Sequence, residues 1–273
     1  MAFFKEILLG FTSFWKALKL IRERQLYWFM LIPAALMPGI YALGAYVMKL
    51  PVHTDVQTVN DIVWFMIGQF FQISLALLFM KFTKYLVVIL LSPLLTYLSE
   101  RTEKILTGNT YVFDFQQFIC DVKRALRITF RNLIWHYALV IIALLIALIG
   151  WKTYNDVPIS IVTIVIGFYY YGFSFVDYIN ERRKLSVSES ILFMRKHRGL
   201  AISLGAVYSM LILLPLNADI VFGLNISKDG FFAGLGQFLF HIVLWVCASA
   251  APVITIVAAT IAMNDLVKLK RKH

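Results

Sequence analysis

The chain has 273 residues, 60% of them hydrophobic, with a mean hydropathy of +0.78. Soluble domains are about half apolar, and this length leaves no room for a soluble domain beside the apolar segments. A net charge of +11 would suit nucleic acid, but the basic residues border apolar runs, so anionic lipid is the expected partner instead. Cys120 and Cys247 lie far apart in apolar surroundings, giving no disulfide framework and no metal set.

The segment 1–25 opens with Phe3, Phe4, Ile7, Leu8, Phe11, Phe14, Trp15 and Leu18 at helical spacing beside Lys5, Lys16, Lys19 and Arg22. This reads as an amphipathic helix lying in the membrane interface, and it lacks the compact apolar core of a cleavable signal. Membrane segments follow over 26–98. The first uncharged run, Leu26–Met48, carries Pro33, Pro38, Gly39 and Gly44 and should be kinked. A second run, Ile62–Met80, returns and contains Gln69 and Gln72, residue types that hydrogen-bond between membrane helices. Tyr85–Leu98 is too short to span a core of about 30 Å. It either extends the second helix beyond the membrane or dips in and returns. Ser92-Pro93 reads as an N-cap with proline at the first helical position, which favours a half-inserted helix restarting there; a proline kink in a continuous helix is the alternative.

The basic region 99–131 contains a second amphipathic pattern at Phe115–Leu133. A helical hairpin over 132–176 follows, made of Asn132–Trp151 and Ile159–Val176, then a basic loop at 177–198. C-terminal membrane helices occupy 199–263, and a basic tail covers 264–273. Phe231–Met263 has no Asp, Glu, Lys or Arg in 33 residues, more than the roughly 20 a spanning helix needs. Tilt, a kink at Pro252 or a half-inserted hairpin would accommodate the excess. The fold class is all-α: a single polytopic membrane domain with about five to six inserted helical segments, some broken or half-inserted, plus interfacial helices.

Charge sets the orientation. Of 26 Lys and Arg, Lys49, Lys152 and Lys228 fall in one alternating set of loops, Lys81 and Lys84 lie inside a hydrophobic region, and the other 21 fall in the opposite set and the two termini. Positive loops stay cytoplasmic, so both termini are expected inside. Enzyme motifs are missing: there is no His-Glu-x-x-His, Gly-x-Ser-x-Gly, phosphate loop or intramembrane aspartate pair. No cofactor is expected.

Five stretches resemble the CysZ sulfate permease family, within the wider superfamily of etoposide-induced protein 2.4. They are Gly10-Phe11 through Leu31-Ile32-Pro33; Ser92-Pro93 through Ser99-Glu100 to Gly108; Asp121-Val122-Lys123-Arg124; Phe175-Val176-Asp177-Tyr178 through Ser188-Glu189 and Arg195; and Ala251-Pro252-Val253-Ile254. The resemblance implies fully spanning helices mixed with helices inserted part-way, homo-oligomers, and uptake of sulfate across a bacterial inner membrane, while eukaryotic relatives are endoplasmic-reticulum proteins. Two departures stand out. The bacterial permeases carry a Gly-Leu-Arg-Arg type motif where this chain has Gln25-Leu26-Tyr27-Trp28, leaving Arg22 and Arg24 one turn earlier as substitutes. About thirty residues around Asn217–Val246 also look additional to the compact family end.

A permease of this kind needs fixed donors for a dianion, and helix N-termini supply them without a full charge in lipid. Ser92 is one candidate. The second is Arg182-Arg183-Lys184, just before the capping box Ser186-Val187-Ser188-Glu189 that opens the helix of the fifth span; the competing reading makes these cations topological. Asp177-Tyr178 ends the fourth span, where a helix-end ion pair with Arg182 or Lys184 is expected over proton coupling. Glu100 and Lys104 form an i,i+4 pair on a solvated helix. His241, inside the longest apolar run, joins Gln69 and Gln72 as an intramembrane polar candidate, although a neutral histidine bonded to a neighbouring helix is the plainer reading. The rival to an anion permease is a membrane scaffold or lipid-interacting protein.

Overall fold

Among the residues that the computed structural model describes (2–51, 58–81, 90–109, 115–150, 159–212, 221 and 231–269), every regular element is helical. In chain order these are α1 (Ala2–Glu23), a 3-10 turn (Leu26–Met30), α2 (Leu31–Lys49), α3 (Val59–Lys81), α4 (Ser92–Thr107), α5 (Phe115–Gly150), α6 (Ile159–Arg182), α7 (Val187–Lys196), α8 (Arg198–Ile212) and α9 (Phe231–Val267). Among the described residues, three stretches are long and apolar enough to cross a membrane: Leu26–Lys49, Val59–Ala76 and Gly234–Val267. Phe130–Ile146 and Arg198–Ile212 are shorter apolar helical stretches. The protein is an all-α membrane protein.

The chain forms two compact units. The first contains residues 1–28, 91–214 and 250–273, and its core is the packing of α6 on α8, α1 on α8 and α5 on α6. Where α6 crosses α8, a Cβ on Gly172 would meet the Ala201 carbonyl oxygen at 1.9 Å, and one on Gly205 would meet the Phe168 carbonyl oxygen at 1.7 Å. The two backbones therefore touch directly, which only residues without a side chain permit. Around this crossing Phe173, Phe175, Val176, Ile179, Leu200 and Leu204 are buried.

The first helix has two apolar faces rather than one. Phe14, Ala17 and Ile21 are buried, whereas Phe4, Leu8, Phe11, Trp15 and Leu18 are exposed. The buried side is fastened by Glu6 to His197 Nδ1 at 2.7 Å and by Lys16 to Asp265 at 2.6 Å. The second unit contains residues 29–90 and 215–249, with α2 packed on α3. Almost none of the apolar stretch of α3 is buried: Trp64, Met66, Phe70 and Phe71 all face outward.

Two sequence expectations are corrected and one open alternative is settled. The amphipathic segment at Phe115–Leu133 and the span from Asn132 are one 36-residue helix, α5, about 54 Å long and so much longer than a hydrocarbon core. The helix opened by Ser186 does not become the fifth span. It stops at Lys196, and His197 (φ −111°, ψ 50°) separates it from α8, with the His197 ring bonded to Glu6. Finally, α9 runs unbroken from Phe231 to Val267 through Pro252, which excludes a hairpin there. The question of half-insertion over Tyr85–Leu98 falls partly on residues 82–89, outside the described residues, as do Asp219, Lys152 and Lys228.

Replacing Gly172 or Gly205 with Ala must push α6 and α8 apart and should cost at least about 1–3 kcal/mol. Gly236→Ala, with nothing within 4 Å of the added carbon, should gain about 0.5–1 kcal/mol from helix propensity. Melting temperatures of the purified variants in one detergent check this contrast.

Candidate functional site

The polar residues of the first unit gather where α4, α5, α6 and α7 meet. The buried side of α4 is Leu91, Leu95, Leu98, Ser99, Thr102 and Glu103, a three- and four-residue spacing that defines one helix face. The other side presents Tyr97, Glu100, Arg101, Lys104 and Ile105. A carboxylate on the buried face needs a cation, and α6 supplies it. Arg182 donates through Nε and Nη2 to Glu103 Oε2 at 3.2 and 3.1 Å and through Nη2 to Ser99 Oγ at 2.8 Å. The two side chains are 7% and 4% exposed. Ser99 also bonds Thr260 of α9 at 2.8 Å.

A second buried pair lies alongside. Arg124 of α5 donates to both Asp177 oxygens, Nη2 to Oδ1 at 3.1 Å and Nε to Oδ2 at 3.3 Å, the two-pronged geometry that guanidinium and carboxylate share. It lies 3.8 Å from Glu181 and donates to the Leu185 carbonyl. Ser190 donates to Asp177 and accepts from Asn180 Nδ2 at 3.0 Å. The expected partners of Asp177 are thus corrected. Arg182 lies five residues on, roughly 140° around the helix axis, and Lys184 lies past the helix end, so the cation comes from a neighbouring helix.

The terminus of α6 shows why the basic triplet separates. The amide of Leu185 bonds the Asn180 carbonyl and that of Lys184 bonds the Glu181 carbonyl, with Lys184 left-handed at φ 59°; this is the crossed hydrogen-bond pair that commonly ends helices. Arg182 turns inward to Glu103. Arg183 donates to Asn180 Oδ1 at 3.1 Å and sits 5.0 Å from the Phe193 ring centroid, and burial lowers its guanidinium from the ordinary value. Lys184 is exposed. The capping box is formed: the Glu189 amide donates to Ser186 Oγ and the Ser186 amide to Glu189 Oε2. These bonds hold the Glu189 carboxyl below its ordinary value, so the cap is complete above that value and is lost as pH falls through the lowered one.

Ser92 is displaced from its expected role. The N-cap residue of α4 is Leu91, with Ser92 and Pro93 as the first helical positions and no side-chain cap. The Ser92 hydroxyl instead shares a hydrogen bond with Tyr178, so two of the residues that carry the family resemblance join α4 to α6. Gly108 ends α4 with φ 81° and donates to the Lys104 carbonyl.

The exposed cations converge elsewhere. After α1, Gln25 is left-handed at φ 55°. Arg24, Tyr97, Glu100, Arg101, Lys104 and Ile105 line a cleft of about 710 Å³, with three cations against one carboxylate. Arg22, exposed on α1, is not among its lining residues. Gln25 takes the place of the glycine in the permease motif, the residue type that a left-handed backbone prefers. Where that motif has arginines, Tyr27 and Trp28 are exposed aromatics with ring centroids 5.5 Å apart.

In the second unit Gln72 Nε2 donates to the carbonyls of Val47 and Leu50, each at 2.8 Å, capping the end of α2. Gln69 is half-buried, as is His241, which stacks edge-on against Phe240. Pro33 is buried near the start of α2. Ser92 belongs to the first unit and these glutamines and His241 to the second. Sequence reasoning missed Glu103, Arg124 and Ser190; the detectable signal was a glutamate placed on the apolar face of α4.

Asp177→Asn strips Arg124 of its two-pronged partner and should destabilise the protein by about 3–5 kcal/mol, read as a fall in melting temperature. Gln25→Gly and Lys184→Gly relieve left-handed strain and should each stabilise by up to about 1 kcal/mol in the same measurement.

No curated protein matches the chain. A family model described as sulfate transporter CysZ/etoposide-induced protein 2.4 matches residues 13–222, a span that includes both buried ion pairs and all the residues of the cleft. The chain therefore belongs to the sulfate transporter CysZ/etoposide-induced protein 2.4 family.

Proposed function

We propose that this membrane protein transports a small anion, with sulfate as the first candidate, and that the cleft of Arg24, Arg101 and Lys104 is where the anion is recognised. The observation that carries this reading is the division of labour among the cations. Arg124 and Arg182 are matched to carboxylates inside the protein, whereas the cleft keeps an excess of positive charge on a wet surface. Such a surface concentrates anions and speeds their capture. The family description, which names a sulfate transporter beside etoposide-induced protein 2.4, gives the reading its direction.

In this account the cleft opens to the cytoplasm, since it lies among the basic segments that stay on that side of a membrane. Arg183 and Lys184 add to the cationic field there. The three full-length apolar stretches span the bilayer, the shorter ones insert part-way, and the outward apolar face of α3 meets lipid or another copy in an oligomer. Gln69, Gln72 and His241 supply polar atoms within the bilayer.

A second reading, a lipid-interacting scaffold, is favoured by the exposed Phe4, Leu8, Phe11, Trp15 and Leu18 of α1 beside Lys5, Lys19 and Arg22, an arrangement that suits an anionic interface. Uptake of radiolabelled sulfate by the purified protein in liposomes separates the two. The transport reading expects uptake above empty vesicles and at least a severalfold loss in Arg24→Gln, because a charge-assisted contact is worth about 1.5–3 kcal/mol. Uptake equal to empty vesicles, with vesicle binding retained, would establish the scaffold.

A further inference from the structure

We infer that the protein holds one anionic phospholipid at a defined site, its phosphate seated among Arg131, Arg195 and Arg198 where α5 and α6 meet the joint between α7 and α8. This site lies apart from the cleft beside α4, and it stands whether or not that cleft recognises an anion.

The geometry centres on two tyrosines of α6. Arg131 of α5 sits 5.8 Å from the Phe173 ring centroid and donates to its neighbour Asn132 at 3.2 Å. The centroid of the Phe173 ring lies 6.3 Å from that of Tyr169, which lies 5.3 Å from that of Tyr170. From the other side Arg198 turns back onto the end of α7, its Nε donating to the Arg195 carbonyl at 3.0 Å. All three guanidinium groups act electrostatically on Tyr169, and Arg131 and Arg195 act on Tyr170 as well. Three helices thus deliver cations to one patch.

A missing counter-charge separates these arginines from the buried ones. Arg124 and Arg182 each hold a carboxylate. Among the described residues, no carboxylate lies within ion-pair distance of Arg131, Arg195 or Arg198. Three like charges brought together repel one another, so an anion between them is attracted by all three. The guanidinium fork matches the oxygens of a phosphate, and the half-buried Tyr169 and Tyr170 carry hydroxyl donors beside it.

The apolar surroundings decide between a dissolved anion and a lipid. Along one side of α5, Lys123, Arg127 and Arg131 follow at four-residue spacing, and the same side continues as the exposed Ile134, Trp135 and Ile141. Arg131 therefore marks the change from basic to apolar on an unbroken helix, the level at which head groups meet hydrocarbon. Leu192, exposed one turn before Arg195 on α7, adds apolar surface on the second side. A dissolved ion gains nothing from these side chains, whereas acyl chains lie against them. The same lack of a carboxylate selects the head group: the ammonium of a zwitterionic lipid would meet only cations here, so the favoured lipid carries net negative charge. Diffuse attraction of basic loops to a charged leaflet neither saturates at one lipid nor depends on particular arginines.

Native mass spectrometry of the full chain in detergent, titrated with phosphatidylglycerol or phosphatidylcholine of matched acyl chains, counts the lipids retained. One phosphatidylglycerol per chain is expected, held at least about tenfold more tightly than phosphatidylcholine. Arg131→Gln/Arg195→Gln should erase that preference, whereas Lys5→Gln/Lys19→Gln, which removes equal charge from exposed positions on α1, should keep it. Arg195→Gln alone, at an exposed side chain, leaves the packing intact and should still weaken phosphatidylglycerol binding severalfold if the double variant does not fold. A preference that survives the arginine substitutions, or one that falls equally in the α1 variant, overturns the inference, as does retention of neither lipid. Melting temperatures with inorganic phosphate supply the remaining arm. Stabilisation by phosphate that needs Arg131 and Arg195, without any preference for phosphatidylglycerol, shows a site for a dissolved anion and overturns the lipid assignment.

Discussion

Two guanidinium–carboxylate pairs, Arg124 with Asp177 and Arg182 with Glu103, hold together the end of the first unit on which the rest of the account depends. Each joins two helices, α5 to α6 and α6 to α4. A charge removed from water tolerates no unpaired state, so each pair specifies its helix contact sharply even though its net contribution to stability is small. Ser190, Asn180, Ser99 and Thr260 fill the remaining donor and acceptor positions, making a connected polar network inside an apolar shell. Glu103 faces this network, while Arg101 and Lys104 of the same helix are exposed and line the cleft. One helix thus carries both a buried, structural charge and charges that border solvent.

Much of the fold was legible in the sequence because the governing signals are local. Uncharged runs longer than a bilayer crossing announced the membrane helices, and Ser186 with Glu189 announced the start of α7 by spacing alone. The amphipathic pattern of Ala2–Glu23 was legible too, but not its second apolar face: Phe14 and Ile21 look like lipid-facing residues until Gly10 and Gly199 bring α8 against that side.

What stayed hidden depends on distant residues. Nothing near Asp177 indicates that its partner is Arg124, 53 positions earlier, and the nearest cations in sequence point elsewhere around or beyond the helix. The continuity of Phe115–Gly150 was masked because a change from amphipathic to uniformly apolar character looks like a boundary, although the backbone propensity does not change there. The break at His197 has no glycine or proline within it; it coincides with a side-chain contact to Glu6, 191 residues away. The cleft was half legible. Arg24 was singled out from its place near the permease motif and Glu100 and Lys104 from their spacing, but they are distant in sequence and nothing local shows that they line one cleft. The left-handed backbone at Gln25 is the conformation that a glycine at the same point of the family motif adopts without strain.

The central claim is that the buried arginines build the protein while the exposed cations meet its ligand, and two charge-neutral double variants of matched stability separate these roles. Glu103→Gln/Arg182→Gln removes a buried pair together with its charge, and Arg101→Gln/Glu100→Gln removes one charge of each sign from the cleft. Anion uptake into liposomes, measured for both against the unmodified protein, is predicted to persist in the first and to change in rate or selectivity in the second. Loss of uptake in a folded Glu103→Gln/Arg182→Gln variant, with the cleft variant indistinguishable from the unmodified protein, would contradict the account.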